Sequence, residues 1–214
     1  AESQDKHCIM MENVNYGRSE LLCLNLVRNG LLGEVLHTEG GYLHDLREIK
    51  FADEGEGLWR REWSKTDNGN LYPTHGLGPI ANCLNINRGD QFARLVSFSS
   101  PSMGLQDYAR ANYPEGHAKR QETYALGDVN VSLIRTANGK TIYVGHDTNL
   151  PRPYSRINTV QGSKGIFQGY PDRVYVEGQS ESHQWDDIDA WRAEYEHPLW
   201  QRELAQRAER PGHG

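Results

Sequence analysis

The sequence predicts an α+β domain whose largely antiparallel, open sheet carries helices on one face. A helical apolar stripe over residues 17–30 comes first, and a segment with the period-two pattern of a strand follows over residues 34–45. From residue 128 onward, short alternating segments separated by turn residues predict a meander of antiparallel strands. Helices followed by such a meander are typical of an α+β arrangement. A chain of 214 residues is long enough for one sizeable domain.

The first helix is predicted over residues 17–30. Its apolar face is expected to contain Leu21, Leu24 and Val27, because residues three and four apart share one side of a helix. Gly30 stands where the C-terminal cap of such a helix belongs.

The first strand is predicted over residues 34–45, so that Tyr42 and His44 would point to the same face of the sheet. Residues 47–70 are charged, punctuated by glycine and only weakly periodic, and they are predicted to form a long loop. A loop of that length in a compact domain is usually either functional or disordered.

The second half of the chain is predicted to be mainly strands. A helix over residues 76–87 leads to a strand over 91–100, and a polar, partly helical insertion or lid follows over 103–125. Residues 128–148 predict a hairpin, because two alternating runs flank Asn138-Gly139, a dipeptide that favours a type I′ turn. The remaining predicted elements are three short strands at 156–162, 165–169 and 173–178 and a helical tail after residue 185.

Composition excludes several classes of function. The net charge is −6, and no run of lysine and arginine provides the basic surface that nucleic acid requires. No apolar run approaches the roughly 20 residues that span a bilayer, and the first residues do not have the pattern of a signal peptide. Cys8, Cys23 and Cys83 are an odd number without a C-x-x-C spacing, so they are expected to be small buried hydrophobic residues.

The segment NLYPTHGLG places a phenol, a hydroxyl and an imidazole within four residues, at Tyr72, Thr74 and His75. One interpretation is structural, since Tyr-Pro-Thr suits a turn and Thr74 can cap a helix whose first turn contains His75. The other interpretation is chemical, because phenols and imidazoles are groups that move protons near neutral pH.

Four motifs of the chain resemble those of glycoside hydrolase family 109 and stand in the family's order and approximate spacing. This family is a branch of the Gfo/Idh/MocA-type oxidoreductases and includes NAD-dependent α-N-acetylgalactosaminidases. These motifs are MENVNYGRSEL, YLHDLR, NLYPTHGLGPIANCLNINRGD and PRPYSRINTVQGSKG. The resemblance extends over residues 7–178. It implies the open-sheet fold of the C-terminal domain in that superfamily, a fold like that of dihydrodipicolinate reductase.

Members of that family begin with a Rossmann domain in which a glycine-rich turn holds the pyrophosphate of NAD. No segment of this chain has that pattern. Residues 1–214 are therefore expected to be a single substrate-binding and oligomerisation domain that lacks the NAD domain and is inactive alone. The resemblance further implies a bacterial protein, a periplasmic location and a homo-oligomer, most simply a dimer formed through the strands at 91–100 and 128–148.

The family mechanism differs from that of ordinary glycosidases, which place two carboxylates across the scissile bond. The resemblance implies that NAD accepts a hydride from sugar C3 while a base takes the hydroxyl proton. Loss of the acidified C2 proton then expels the C1 substituent, water adds to the enone, and the hydride returns. The implied substrate is a glycoside of N-acetylgalactosamine, and no metal is implied.

The resemblance also implies site residues at the matching positions. The catalytic positions are His75, Tyr72 and Tyr42, and the cofactor positions are Glu12, Asn13 and Tyr72. The substrate positions are Tyr42, Arg60, Tyr72, Pro73, Thr74, His75 and Tyr154.

Each of these residues also has a structural interpretation. Tyr42 would be an ordinary half-buried aromatic, Arg60 a solvated surface residue, His75 a helix-start residue and Tyr154 a residue that fixes a turn. His44-Asp45 and His146-Asp147 invite a metal-site interpretation, but His44 is expected at most to line the pocket. His146 is expected to be structural.

Two alternative functions stay open at this point. One is a sugar or cyclitol dehydrogenase of the same superfamily, which would release an oxidised product. The other is a non-catalytic domain for sugar binding or assembly. A phenol and an imidazole near the reacting carbon do not separate the glycosidase from the dehydrogenase, because both reactions need a base there.

Overall fold

The computed structural model describes residues 2–7 and 11–206. Cys8, which the sequence predicts to be a buried hydrophobic residue, lies outside the described residues. Cys23 and Cys83 are buried free thiols, as predicted.

Helices outnumber strands before residue 128, five strands follow over residues 129–176, and two helices end the described part of the chain. The helices are α1 (Arg18–Arg28), α2 (Arg47–Phe51), α3 (Gly57–Thr66), α4 (Thr74–Cys83), α5 (Gly104–Asn112), α6 (Ala118–Gln121), α7 (Ile188–Tyr195) and α8 (Pro198–Gln206). The strands are β1 (Val35–Leu43), β2 (Phe92–Ser99), β3 (Val129–Thr136), β4 (Thr141–Asp147), β5 (Thr159–Gly162), β6 (Gly165–Gln168) and β7 (Arg173–Val176). Short 3-10 turns span Glu2–Gln4 and Asn13–Tyr16.

The seven strands form one open sheet in the order β2-β3-β4-β1-β5-β6-β7. Only the β1–β4 pair is parallel, and the other five pairs are antiparallel. The predicted α+β class with a largely antiparallel sheet is therefore confirmed. Because β1 and β4 run in the same direction, their carboxyl ends, at Leu43 and Asp147, lie side by side.

The hydrophobic core lies between one face of this sheet and the helices α1, α4 and α7. Leu22 and Leu26 of α1 and Ile80 of α4 are fully buried there. The helix prediction over residues 17–30 is confirmed, and Gly30 adopts the left-handed conformation, with φ of 73°, that a helix terminus favours.

The predicted long loop over residues 47–70 is wrong, because this segment contains α2 and α3. Apolar periodicity is weak here since the side chains that turn inward are mostly polar. Lys50, Arg60 and Ser64 are all buried, together with Phe51. Helices whose buried face carries charged and hydroxyl groups do not give the apolar stripe on which the prediction relied.

Two local predictions are also wrong. A type I′ turn would need a positive φ at Asn138, which is not observed. The Thr136 N–H donates to the Lys140 carbonyl, and the Gly139 N–H donates to the Thr136 carbonyl, so the hairpin has a three-residue loop instead. Thr74 does not cap α4 with its side chain, since Pro73 occupies the N-cap position.

The insertion at residues 103–125 forms α5 and α6, as its partial helicity predicted. Leu105, Ala109 and Tyr124 pack on Phe51 of α2 in a second, smaller hydrophobic cluster. This cluster anchors α2, which carries Lys50, and α2 in turn contacts α3, which carries Arg60.

Candidate functional site

A cluster of aromatic rings lies where β1 ends and α4 begins. The ring of Tyr42 is the centre, with centroids 5.0 Å from Tyr72, 5.0 Å from His75 and 6.2 Å from Tyr154. The rings of Tyr72 and His75 are 4.8 Å apart, and those of His44 and Tyr154 are also 4.8 Å apart. We call these five residues the aromatic cluster.

Two glycines allow β1 and α4 to approach closely enough to form this cluster. A Cβ atom added to Gly76 would lie 2.5 Å from the backbone nitrogen of Gly41, and one added to Gly40 would meet the backbone of Gly76. Real Cβ atoms do not come so close to backbone atoms, so only glycine fits at both positions. This contact sets Tyr42 of β1 beside His75 of α4.

His75 contacts a buried carboxylate. Its Nδ1 lies 2.7 Å from Oε1 of Glu12, and Glu12 is 6% exposed. This contact is a close electrostatic approach between the ring nitrogen and the carboxylate oxygen. Burial lowers the pKa of His75, while the Glu12 carboxylate opposes this shift. A neutral imidazole with a carboxylate behind it can accept a proton and be stabilised as the cation.

Tyr42 stays protonated at neutral pH, because burial raises its pKa to about 12 although Arg60 opposes the shift. Its hydroxyl lies 3.2 Å from Nδ1 of His44. Burial lowers the pKa of His44, with Arg60 adding to the effect. With the Nδ1 atom unprotonated, the phenol donates to His44, and the pair can pass a proton in either direction.

Arg60 brings a positive charge to the cluster. Its guanidinium carbon lies 4.8 Å from the centroid of Tyr72 and 4.3 Å from that of Trp59, so the group is held between two rings. Oε1 of Glu56, one turn earlier, accepts from its Nη2 at 2.5 Å. Arg60 is only 6% exposed, which contradicts its interpretation as a solvated surface residue.

Tyr154 forms another wall of the cluster. Nη1 of Arg156 donates to its hydroxyl at 3.0 Å, and Nη2 of Arg156 contacts the buried carboxylate of Glu20 at 2.6 Å. The chain that carries Tyr154 is tied to the end of β1, since Leu43 and Ser155 exchange two backbone hydrogen bonds.

The structure brings together five of the predicted positions, Tyr42, Arg60, Tyr72, His75 and Tyr154. Pro73, at the N-cap, and Thr74, the first residue of α4, are half-buried between Tyr72 and His75, and Glu12 lies behind His75. Asn13 is exposed at the same edge of the domain.

Sequence reasoning placed His44 on the face of Tyr42 at the pocket wall but gave it no part in proton transfer, and it did not predict the buried polar side chains next to Arg60. The position of His44 two residues after Tyr42 was a usable signal, since alternate residues of a strand share a face. Lys50 gave no signal, because it lies in a segment predicted to be a loop.

Lys50 is 1% exposed, and its hydrogen-bond partners among the described residues are neutral oxygens: it donates to Thr148 at 2.8 Å, to Asn149 at 2.6 Å and to Ser64 at 3.4 Å. Burial, with Arg60 adding to it, lowers its pKa to about 7. Lys50, Arg60 and His146 line one small cavity. Burial lowers the pKa of His146 to about 3. His146 is thus a buried neutral residue next to Tyr42, its partner across the β1–β4 pair.

Two further properties concern the described residues alone. They contain no group of three or more histidine, cysteine, aspartate or glutamate side chains placed to hold a metal ion. None of the helices between residues 2 and 206 is long and apolar enough to cross a membrane.

Comparison with known families gives one family over nearly the whole chain. The pattern described as "Glycosyl hydrolase 109, C-terminal domain" matches residues 16–214. Similar curated relatives are the glycosyl hydrolase family 109 proteins of Shewanella pealeana and Shewanella baltica, each 52% identical over the whole of this chain. The chain spans about half the length of these relatives, 48% in each case.

Solved structures with a similar fold are more distant in sequence. A levoglucosan dehydrogenase in complex with NADH superposes with a TM-score of 0.57 at 19% identity, over 86% of this chain and 47% of that protein. An inositol dehydrogenase homologue from Azotobacter vinelandii, complexed with NADH and myo-inositol, gives 0.51 at 16% identity, over 82% of this chain and 41% of that one. At these identities the likeness establishes the fold alone.

Proposed function

Since the chain belongs to glycosyl hydrolase family 109, as its C-terminal domain, we propose that it is the substrate domain of an NAD-dependent glycosidase. The proposed reaction removes a terminal α-N-acetylgalactosamine through transient oxidation at C3 and elimination between C1 and C2. In the full-length protein a Rossmann domain would precede this one, a proposal that the double length of the curated relatives supports.

The observation that carries this proposal is the neutral, half-buried imidazole of His75 within ring contact of Tyr42 and Tyr72, backed by Glu12. The two carboxylates next to these groups are each paired with a residue of the site, Glu12 with His75 and Glu56 with Arg60. A pair of free carboxylates facing one sugar, which ordinary glycosidases need, does not emerge from the described site. Proton transfer therefore falls to the imidazoles and phenols.

The edge of the domain near His75 suits the nicotinamide end of NAD. Asn13 offers an exposed side-chain amide, which can both donate to and accept from a carboxamide, and Tyr72 offers a half-exposed phenol. The side chain of Asn15, in the same turn, has a buried Oδ1 atom without a hydrogen-bond partner. When bound, NAD would take up and return a hydride at the sugar carbon.

Roles for the residues of this chain follow from their surroundings. His75 would accept the C3 hydroxyl proton, because Glu12 stabilises the imidazolium that forms. Tyr72 would hydrogen-bond the same oxygen or the nicotinamide. Tyr42 would handle the C2 proton, and its high pKa means that it can do so only while His44 takes its own phenolic proton.

Arg60 and Tyr154 would bind and orient the sugar from two sides of the cluster. Arg60 also places a positive charge 6.0 Å from the ring of Tyr42, where it favours the electron-rich species that loss of the C2 proton creates.

The proposal is tested with the full-length protein and p-nitrophenyl α-N-acetylgalactosaminide in deuterium oxide. We expect cleavage, together with deuterium at C2 of the released sugar, because elimination removes that proton and water restores one from solvent. Cleavage without deuterium at C2 would contradict the elimination route. Release of an oxidised sugar instead of the free hexosamine would indicate a dehydrogenase, as the two solved proteins with a similar fold are named.

We also propose that the uncovered end of the sheet contacts a second copy of the chain. Edge strand β2 is exposed along nearly its whole length, and Val96, Phe98 and Leu133 expose large apolar side chains on one face of β2 and β3. An exposed apolar edge strand needs a cover in a stable protein.

Sedimentation of the full-length protein at micromolar concentration is therefore expected to show a dimer or larger assembly. The Phe98→Asp variant should shift the protein toward the monomer, because it places a charge in the apolar surface. Glu177→Lys, an exposed charge change at the far side of the sheet, is the control and should leave the assembly intact. A wild-type monomer would contradict the proposal.

A further inference from the structure

The row of rings in the aromatic cluster continues outward to a residue that none of the proposed roles uses. Tyr170, in the turn between β6 and β7, has its ring centroid 6.0 Å from that of Tyr154 in an edge-to-face arrangement. Tyr154 therefore contacts Tyr42 and His44 on its inner side and Tyr170 on its outer side. Because Tyr170 is 37% exposed, the row leads from the buried centre to solvent.

Arg156 holds this outer wall in place. Its guanidinium carbon lies 5.5 Å from the centroid of Tyr154 and 5.4 Å from that of Tyr170. Glu20, which is 3% exposed, accepts from Arg156 at 2.6 and 3.0 Å and fixes the guanidinium to α1. The two tyrosine rings are thus positioned before any ligand arrives, which lowers the entropic cost of binding against them.

The backbone at Tyr170 is also unusual. Its φ of 58° lies in the left-handed region, which bulky residues rarely adopt and which persists only when the surrounding structure enforces it. The preceding residue, Gly169, could take that conformation without strain but does not have a positive φ. The chain instead uses it at the residue whose ring stands beside Tyr154.

We propose that Tyr170 and Tyr154 form a platform for the leaving group, an aromatic aglycone or the next sugar ring of a glycan. This inference rests on the proposed function, because it assumes that sugar C2 and C3 lie against Tyr42 and His75. The C1 substituent must then leave the buried centre toward solvent, and the wall formed by Tyr154 and Tyr170 leads there. Ring faces bind both classes of group, through stacking on an aromatic ring or on the C–H face of a sugar.

The test compares two α-N-acetylgalactosaminides, with p-nitrophenyl and methyl aglycones, in calorimetric titrations of the full-length protein without added NAD. The wild type should bind the p-nitrophenyl glycoside more tightly than the methyl glycoside. Tyr170→Ala should weaken p-nitrophenyl binding by about three- to tenfold, the range expected for one lost aromatic contact, and change methyl binding less than about twofold. Tyr170→Phe should keep the wild-type preference, since it retains the ring.

Tyr175→Ala is the matched control, because this half-exposed tyrosine lies on β7 among residues that face away from the helix-covered core. Its affinities should equal those of the wild type. Equal losses for both glycosides in Tyr170→Ala, or no preference in the wild type, would overturn the platform. Adding NAD and measuring cleavage tests the glycosidase reaction separately, so that an aglycone preference without cleavage would refute the proposed function and not the platform.

Discussion

Replacing His75 by alanine in the full-length protein should lower turnover by about 100- to 10,000-fold, the usual contribution of a general acid–base group. The imidazole is the cluster member with a carboxylate directly behind it, Oε1 of Glu12 at 2.7 Å. Its removal leaves no neutral group in that position to accept the hydroxyl proton. Steady-state turnover at saturating substrate and the melting temperature are the two measurements.

Two further variants show whether lost activity comes from a missing reactive group or from a disturbed fold. Tyr72→Phe removes one hydroxyl and keeps the ring, so lost activity at an unchanged melting temperature would place that hydroxyl in the reaction. His37→Ala removes a part-exposed imidazole on β1 that bonds to Thr141, and it should leave turnover unchanged. A loss below about tenfold in His75→Ala would identify His75 as a helix-start residue.

Replacing Lys50 by methionine should remove a pH dependence of stability. In the unfolded chain a lysine has a pKa of about 10.4, whereas burial lowers the pKa of Lys50 to about 7 in the folded protein. Between these values the unfolded state binds more protons than the native state, so the wild-type free energy of unfolding rises with pH. The slope from this residue is about 1 kcal/mol per pH unit between pH 8 and 10.

Urea unfolding at several pH values between 7 and 10 measures this contribution as the difference between the wild-type and Lys50→Met curves. Lys65→Met is the control, because Lys65 of α3 is paired with Glu62 and Glu122 and its folded pKa is raised. That variant should keep the wild-type rise. If the free energy of unfolding depended on pH in the same way in wild type and Lys50→Met, Lys50 would be protonated in the folded protein throughout this pH range, and the expected shift of its pKa would be wrong.

Strong local patterns were sufficient for most of the fold. The α1 helix, the β3–β4 hairpin and the short strands β5 to β7 follow from apolar periodicity and turn residues. The α2 and α3 helices do not, because their buried face carries Lys50, Arg60 and Ser64, whose burial depends on partners far away in the chain.

The candidate site divides in the same way. The motifs identified Tyr42, Tyr72, His75 and Tyr154 as site residues. They did not predict which of these side chains contact one another. The pairing of Tyr42 with His44 followed from strand alternation. The contact of Glu12 with His75 did not, since the two residues are 63 positions apart and meet only when the turn Asn13–Tyr16, which Glu12 caps, packs on α4.

The sequence alone determined the α+β class, the family and the residue types of the site. The tertiary structure alone decided that β1 and α4 touch through Gly40 and Gly76, which brings phenols and imidazoles from separate elements into one cluster. It also decided that Lys50 and Tyr42 have strongly shifted pKa values. The physical reason is that local patterns act through neighbours in sequence, whereas close backbone approach and removal from water depend on every element packed around a residue.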